Sequence, residues 1–396
     1  MYGVNLKHSI KKAISKKKIL ICTPYYFPYK NFGGGCKTIV NQVSKTNDLY
    51  KYEVFTLDHG PREENYLADQ KTIYFKNNLE VFIKILFLDI STFSKIQFNS
   101  FFSPFSFFIL AALFFKKTGN KIIIFPRGEL SYEIEELEFK KKFYIIAMKF
   151  FLIFKNVLFV ATSESERKNI ISFPFFNIRI RSFLRKIRPT IKTMIVGDFL
   201  DDSEYSLDTK EYKLDKSRIK MVFISILRPK KNLSFALDIL KELPKEYFLD
   251  IYGIVEDKTY LNKIKSKINR LELNDRVRLL GEVSSYKVVE VFSNYNAFLF
   301  PTKSENFGYV ILESLQAGCI PIISNKTPWE PINNKCGLVL DIASSSKDWS
   351  QSIQDFFKYP ESKFYSISDK CKTYATQIYF NEKSKYDLKK LYENEH

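Results

Sequence analysis

Short apolar runs alternate along the chain with longer amphipathic stretches, and that alternation predicts strands separated by helices. Residues 18–23 (KILICT), 51–57 (KYEVFTL), 71–75, 95–99 (KIQFN), 121–125 (KIIIF), 157–162 (VLFVAT) and 192–196 (KTMIV) read as strands. Between them, residues 37–43, 79–88, 105–115 and 140–154 read as helices, and Ser163 with Glu166 marks another helix start as cap and third residue. Apolar strands joined through helices belong to a parallel sheet covered on both faces. Residues 201–217 are polar and acidic without buried periodicity, which marks a boundary.

The alternation resumes at Ile219. Strands are predicted at 221–225, 248–253, 277–280, 297–300, 320–323 and 337–341, with helices at 233–243, 260–268 and 286–293, the last capped by Ser284 or Ser285. Residues 349–396 read as helical and polar. The expected fold is therefore α/β, with two Rossmann-like parallel-sheet domains in tandem. Residues 1–200 form the first domain and 201–370 the second, and residues 371–396 form a C-terminal helix that packs back on the first. A chain of 396 residues fits two domains better than one core, and the cleft between them is the default place for a ligand.

Composition narrows the partners. The formal charge is +18, from 62 Lys and Arg against 44 Asp and Glu. Such a surface favours anionic partners: nucleotide phosphates, nucleic acid or an anionic membrane leaflet. No zinc-ligand spacing, helix-turn-helix or RNA-binding strand signature accompanies the charge, so nucleic acid is not the expected partner. The five cysteines are scattered with no CxxC, which predicts a reduced, cytoplasmic chain without a bound metal; Cys22 and Cys319, in apolar surroundings, read as core residues. The most apolar window, residues 101–115, is too short to span a bilayer. It reads as a buried helix, with an interfacial membrane segment as the alternative.

The candidate chemistry gathers where strands end. Residues 297–339 make a strand, a helix closed by Gly318 and a second strand, with Glu305 and Glu313 on either side of the apolar start of the helix. Lys230 and Lys231 follow the first strand of the second domain, placed to meet a diphosphate or simply to be solvated. Gly33, Gly34 and Gly35 follow the first strand of the chain, in a loop that lets backbone approach a ligand or merely stays flexible. Arg127 with Gly128 ends strand 121–125, where it would meet an anionic or hydroxyl-rich ligand or pair with the acidic run 133–138.

Together these segments resemble the GT4 group of retaining glycosyltransferases, which have the GT-B fold. The resemblance rests on SENFGYVILESLQAGCIPIIS with its E-x7-E spacing, then on FISILRPKKNLSFAL, IYGIVEDKTYLNKI, RVRLLGEV and TPWEPI in the same order. In the first half, NSFFSPFSFFILAAL, PRGELS and VLFVATSESE resemble members that assemble bacterial surface polysaccharides such as O-antigen or capsule. The resemblance covers roughly residues 18–345. It implies that Glu313 binds the ribose of a nucleotide, that Glu305 approaches the donor sugar and that Lys231 neutralises the diphosphate. Asn306, Phe307, Gly308 and Tyr309 would line the donor site, the Gly33–Gly35 loop would close on the donor, and Arg127 would face sugar or acceptor.

One position departs from the pattern S-R-x-x-P-x-K of the group: Ile226 stands where Arg is usual, and Arg228 lies two residues on. Either Arg228 reaches the diphosphate through a shifted loop or one cation is lost. The expected activity is hexosyl or N-acetylhexosaminyl transfer with retention from a UDP- or GDP-sugar, without a cofactor or a required metal. The expected acceptor is a glycan or a polyprenyl-diphosphate-linked glycan at the inner face of the cell membrane, to which the chain attaches peripherally. A degenerate, non-catalytic nucleotide-sugar or glycan binder on the same fold is the alternative.

Overall fold

The computed structural model describes residues 16–26, 34–60, 70–119, 121–130, 144, 145, 147, 148, 151, 155–173, 192–200, 212–284 and 287–393. Two parallel sheets organise these residues. The first has seven strands in the order β3-β2-β1-β4-β5-β6-β7: β1 Lys17–Cys22, β2 Tyr50–Leu57, β3 Lys71–Phe75, β4 Lys95–Phe98, β5 Ile122–Ile124, β6 Val157–Ala161 and β7 Lys192–Ile195. The second has six, β10-β9-β8-β11-β12-β13: β8 Ile219–Ile224, β9 Tyr247–Tyr252, β10 Val277–Gly281, β11 Ala297–Phe300, β12 Ile320–Ser324 and β13 Leu338–Leu340. The predicted strands are all present. Complete burial of the central ones, such as AFLF in β11 and IPIIS in β12, explains why their sequences run apolar without alternation.

The chain divides into two compact units, Met1–Val160 with Pro174–Met194 and Lys389–His396, and Ala161–Phe173 with Ile195–Leu388. In the first unit, Tyr392 of the last helix, Lys383–Glu393, accepts a bond from Gln42 at 2.8 Å and donates to Gln97, all three being buried. The helix Pro104–Phe114 buries Phe105, Ile109, Leu110, Ala112 and Leu113, as its apolar sequence predicts. Cys22 and Cys319 are core residues too. Burial raises both thiols above their ordinary range.

Helix boundaries differ from the sequence pattern in two informative places. The first helix is Gly34–Thr46, so Gly34 and Gly35 lie in its opening turn rather than in the preceding loop; Gly33 and the rest of 27–33 are outside the described residues. The helix expected at 286–293 is Val288–Phe292 with Lys287 at its N-cap and no side-chain cap, so Ser284 does not cap it, and Ser285 is outside the described residues. Ser163 does cap the helix Glu164–Ser172, accepting from the Glu166 amide at 3.2 Å. Of the expected helix 140–154, too few residues are described to give its bounds, and the acidic run 133–138 and most of 201–217 lie outside them.

Candidate functional site

In the second sheet the strand order reverses between β8 and β11, because successive strands are added on opposite sides of this pair. Loops leaving the C-terminal ends of such a pair diverge and open a crevice, the usual ligand position in parallel sheets. The loop after β8 carries Arg228, Lys230 and Lys231, and the loop after β11 carries Glu305 to Gly308.

These two loops are fastened to each other by backbone. The Lys303 amide donates to the Lys230 carbonyl at 2.9 Å, and the buried Thr302 hydroxyl donates to the same oxygen at 3.3 Å. Asn232, in the left-handed region at φ 63°, donates its side-chain amide to the Pro301 carbonyl at 3.0 Å. Asn tolerates that conformation better than most residues, and here it both ends the 3₁₀ turn Pro229–Lys231 and starts the helix Leu233–Glu242. Neither Asn232 nor Thr302 stands out in the sequence. The signal was there only as an Asn at a helix start and a Thr after a strand-ending Pro.

Lys231 and Glu305 form an ion pair across the crevice, with side-chain exposures of 23% and 10%. The Lys231 ammonium also lies 5.6 Å from the centre of the Phe300 ring. Glu305 is held from behind: its amide donates to the Lys326 carbonyl at 2.9 Å, and Thr302 Oγ1 lies 3.4 Å from its carboxylate. Lys230 is the second cation of this turn. Burial pulls its pKa below the ordinary lysine value, Glu305 opposes that shift, and the neighbouring Lys231 and Arg228 add to it.

Glu305 lies against the start of the helix Tyr309–Gln316. A Cβ placed on Gly308, the N-cap, would be 3.6 Å from Glu305 Cγ and 3.1 Å from Ile311 Cδ1. Gly308 also has φ +79°, and as the N-cap it offers the helix start no capping side chain. The approach is rigid. Trp329 Nε1 donates to the Phe307 carbonyl, the Phe307 ring packs on Trp329 and Tyr309 at 5.2 and 4.9 Å, and Tyr309 Oη donates to the Phe199 carbonyl at 3.1 Å. Asn306 is half-buried in this loop, and Glu313 is half-buried in the helix between Leu312 and Ser314, both buried.

Arg228 sits on the same turn as the lysines, but its guanidinium forms a two-pronged pair with Glu256, at 2.6 Å from Nη2 to Oε1. That pairing holds the Glu256 carboxyl below its usual range. Ile226 is half-buried, and its carbonyl accepts from the Arg228 amide at 2.9 Å. The loop packs tightly on Gly253, where a Cβ would fall 2.0 Å from the Ser225 carbonyl oxygen.

The first unit holds the other candidates. Arg127 follows β5 in the left-handed region at φ 52°, donates to Asn99 Oδ1 at 3.3 Å and lies over the Phe125 ring at 4.9 Å. Glu129 closes the neighbouring turn by accepting from Ser100 Oγ at 2.7 Å and from the Phe102 amide at 2.9 Å. Gly35 has open space where a side chain would stand.

Comparison with known proteins places these features. Residues 204–378 match the family model for Glycosyl transferases group 1. The chain is 22% identical over 299 residues to an uncharacterized 41.2 kDa protein in the cps region of Klebsiella pneumoniae, covering 74% of this chain and 78% of that one. It is 24% identical over 216 residues to the O-antigen biosynthesis glycosyltransferase WclY of Escherichia coli, a match that spans 52% of this chain and only 57% of that protein. Among solved structures, Anabaena Alr3699/HepE in complex with UDP and glucose superposes with a TM-score of 0.67 at 14% identity, over 95% of this chain and 98% of that one. The two parallel-sheet units thus have the GT-B fold, and the switch-point crevice lies among residues 204–378, the stretch that matches the glycosyl transferases group 1 model.

Proposed function

We propose that this protein is a retaining glycosyltransferase of the GT4 group, which moves a hexosyl or N-acetylhexosaminyl unit from a UDP- or GDP-sugar onto a growing surface polysaccharide. The observation that carries the reading is the meeting of Lys231, Glu305 and the glycine-capped helix start at the β8/β11 switch point. The cps-region and O-antigen relatives support the polysaccharide context.

In this reading the donor diphosphate lies between the lysines and the opening amides of the helix Tyr309–Gln316. Lys231 and Lys230 neutralise the charge that grows on it as the sugar leaves, without a metal ion. Lys230 takes the place of the cation missing at Ile226, since Arg228 is engaged with Glu256. Glu313 receives the ribose hydroxyls, and Glu305 orients Lys231 and meets the sugar. Asn306, Phe307, Gly308 and Tyr309 wall the donor, while Arg127 and the glycines at 33–35 serve the first unit's share of donor and acceptor. The acceptor hydroxyl attacks the anomeric carbon on the face that the diphosphate leaves. One C–O bond forms, the bond from that carbon to the phosphate oxygen breaks, and the hydroxyl proton passes to that oxygen. The acceptor is a glycan, free or on a polyprenyl diphosphate, at the cytoplasmic face of the membrane.

Titration calorimetry with UDP and with GDP tests the donor site. Wild type should bind one of them, and Glu313→Ala should weaken that binding about tenfold or more, as loss of a charged hydrogen-bond partner does. A wild type that binds neither nucleotide at about millimolar concentration, a weak affinity by any standard, rules the reading out.

The depressed pKa of Lys230 gives a second test. Lowering means that the charged form is disfavoured in the empty site; its cost to stability is present at neutral pH and fades as pH rises through the lowered value. A diphosphate favours the charged form, so binding takes up a proton. Affinity should begin to fall, as pH rises, below the pH at which an ordinary lysine titrates. Lys230→Arg should flatten that profile, and an unchanged profile would show that Lys230 does not face the ligand.

A further inference from the structure

The helix Asn78–Phe87 (NLEVFIKILF) is apolar on nearly every side, a composition that normally goes with burial all round. Only one face is covered. Val81 and Ile85 are buried, whereas Leu79, Ile83 and Phe87, spaced four apart on the opposite face, are 58%, 48% and 85% exposed. Phe115, at the end of the adjacent helix Pro104–Phe114, is 75% exposed. The two helices lie side by side: the Phe82 and Phe108 rings meet edge to face at 6.3 Å, and the Lys116 ammonium donates to the Leu88 carbonyl at 2.9 Å. That bond places Phe87 and Phe115, the residues just before Leu88 and Lys116, at the same end of the pair.

The surroundings of this stripe are basic. Lys76, Lys84 and Lys117 are exposed on the same two segments, and Lys121 donates to the Ile90 carbonyl at 3.1 Å. The acids of these segments are Glu80, which accepts from the Lys76 amide at 2.7 Å, and Asp89, whose carboxylate accepts from the Ser91 amide at 2.9 Å. Among the described residues, no helix is long and apolar enough to cross a membrane. An exposed apolar stripe bordered by lysines suits an anionic lipid surface, into which the rings and aliphatic chains insert while the ammonium groups stay at the headgroups.

We propose that the Leu79–Ile83–Phe87 face and Phe115, with Lys84 and Lys117, dock this protein on an anionic bilayer. The sequence reads the window 101–115 as a buried helix, with membrane contact as the alternative; that helix is mostly core, and its neighbour presents the surface. The inference rests on the transferase reading only for the side of the membrane concerned.

Sedimentation of the full chain with vesicles of phosphatidylcholine, with and without phosphatidylglycerol, tests it. Wild type should sediment with the anionic vesicles at low salt and less so as salt rises. Phe87→Ser/Phe115→Ser should weaken vesicle binding about tenfold or more, and Lys84→Gln/Lys117→Gln about 10- to 30-fold. Both variants should keep the wild-type melting temperature and nucleotide affinity, which separates this test from that of the donor site. Wild type remaining in the supernatant, or Phe87→Ser/Phe115→Ser binding as tightly as wild type, overturns the proposal. So does a wild-type dimer by light scattering that Phe87→Ser/Phe115→Ser dissociates, since the face would then belong to a second copy of the chain.

Discussion

Lys231→Ala should lower the rate of sugar transfer by about 100- to 1,000-fold, the cost of removing one group that meets developing charge in a transition state. The substitution has a second, separable effect. Lys231 is the partner of Glu305, a carboxylate that is 10% exposed, and its loss takes the ion-pair partner from that charge and leaves Thr302 Oγ1 3.4 Å away. The pair is partly solvated, so the destabilisation should be about 1–2 kcal/mol rather than that of a fully buried pair broken on one side. In a unit of this size that is a fall of about 2–8 °C in melting temperature. Adding Glu305→Gln removes the stranded charge. Lys231→Ala/Glu305→Gln should therefore recover most of the stability and none of the transfer. Single-turnover measurement on the two variants checks both halves, and near wild-type transfer in Lys231→Ala would remove the lysine from the chemistry.

Gly253→Ala should be the most damaging single methyl group in the second unit. Its Cβ would fall 2.0 Å from the Ser225 carbonyl oxygen and 2.9 Å from Leu227 Cδ2, and the first of these is backbone that no rotamer change can clear. The loop after β8 would have to move away from the end of β9, carrying the lysine turn with it. Overpacking of this kind costs about 1–3 kcal/mol and more where main chain is struck. A drop of about 6–12 °C in melting temperature is expected for about 3 kcal/mol, together with loss of nucleotide binding in the protein that remains folded. Thermal unfolding followed by calorimetry on the same sample checks the two effects. Unaltered stability would mean that the loop has room to yield.

How far these features were legible follows from what each depends on. The strands were legible because a buried parallel strand must be a short apolar run, and KILICT, KIIIF, AFLF and IPIIS are that and little else. The switch point followed less directly, since strand order is not written locally, yet the polar residues Lys230, Lys231 and Glu305 already stood at strand ends. Their mutual pairing was not legible. Lys231 and Glu305 are 74 residues apart, and Arg228 and Glu256 are 28 apart, so which cation takes which carboxylate is decided by the packed loops. Helix starts were the weakest readings. Gly34 and Gly35 look like loop yet open a helix, and serines at 284 and 285 look like caps although Lys287 occupies that position. The need for glycine at 253 was equally hidden, because the atom it avoids belongs to a different strand's loop.

The Lys230 carbonyl, which accepts from both the Lys303 amide and the Thr302 hydroxyl, makes the cationic turn and the acidic loop open and close as one cooperative element. Neither can fray alone without stranding a backbone acceptor. Hydrogen exchange at the Lys303 amide should consequently be as slow as in the strands it joins, and the ordering of charge around a ligand is settled when the domain folds rather than when the ligand arrives.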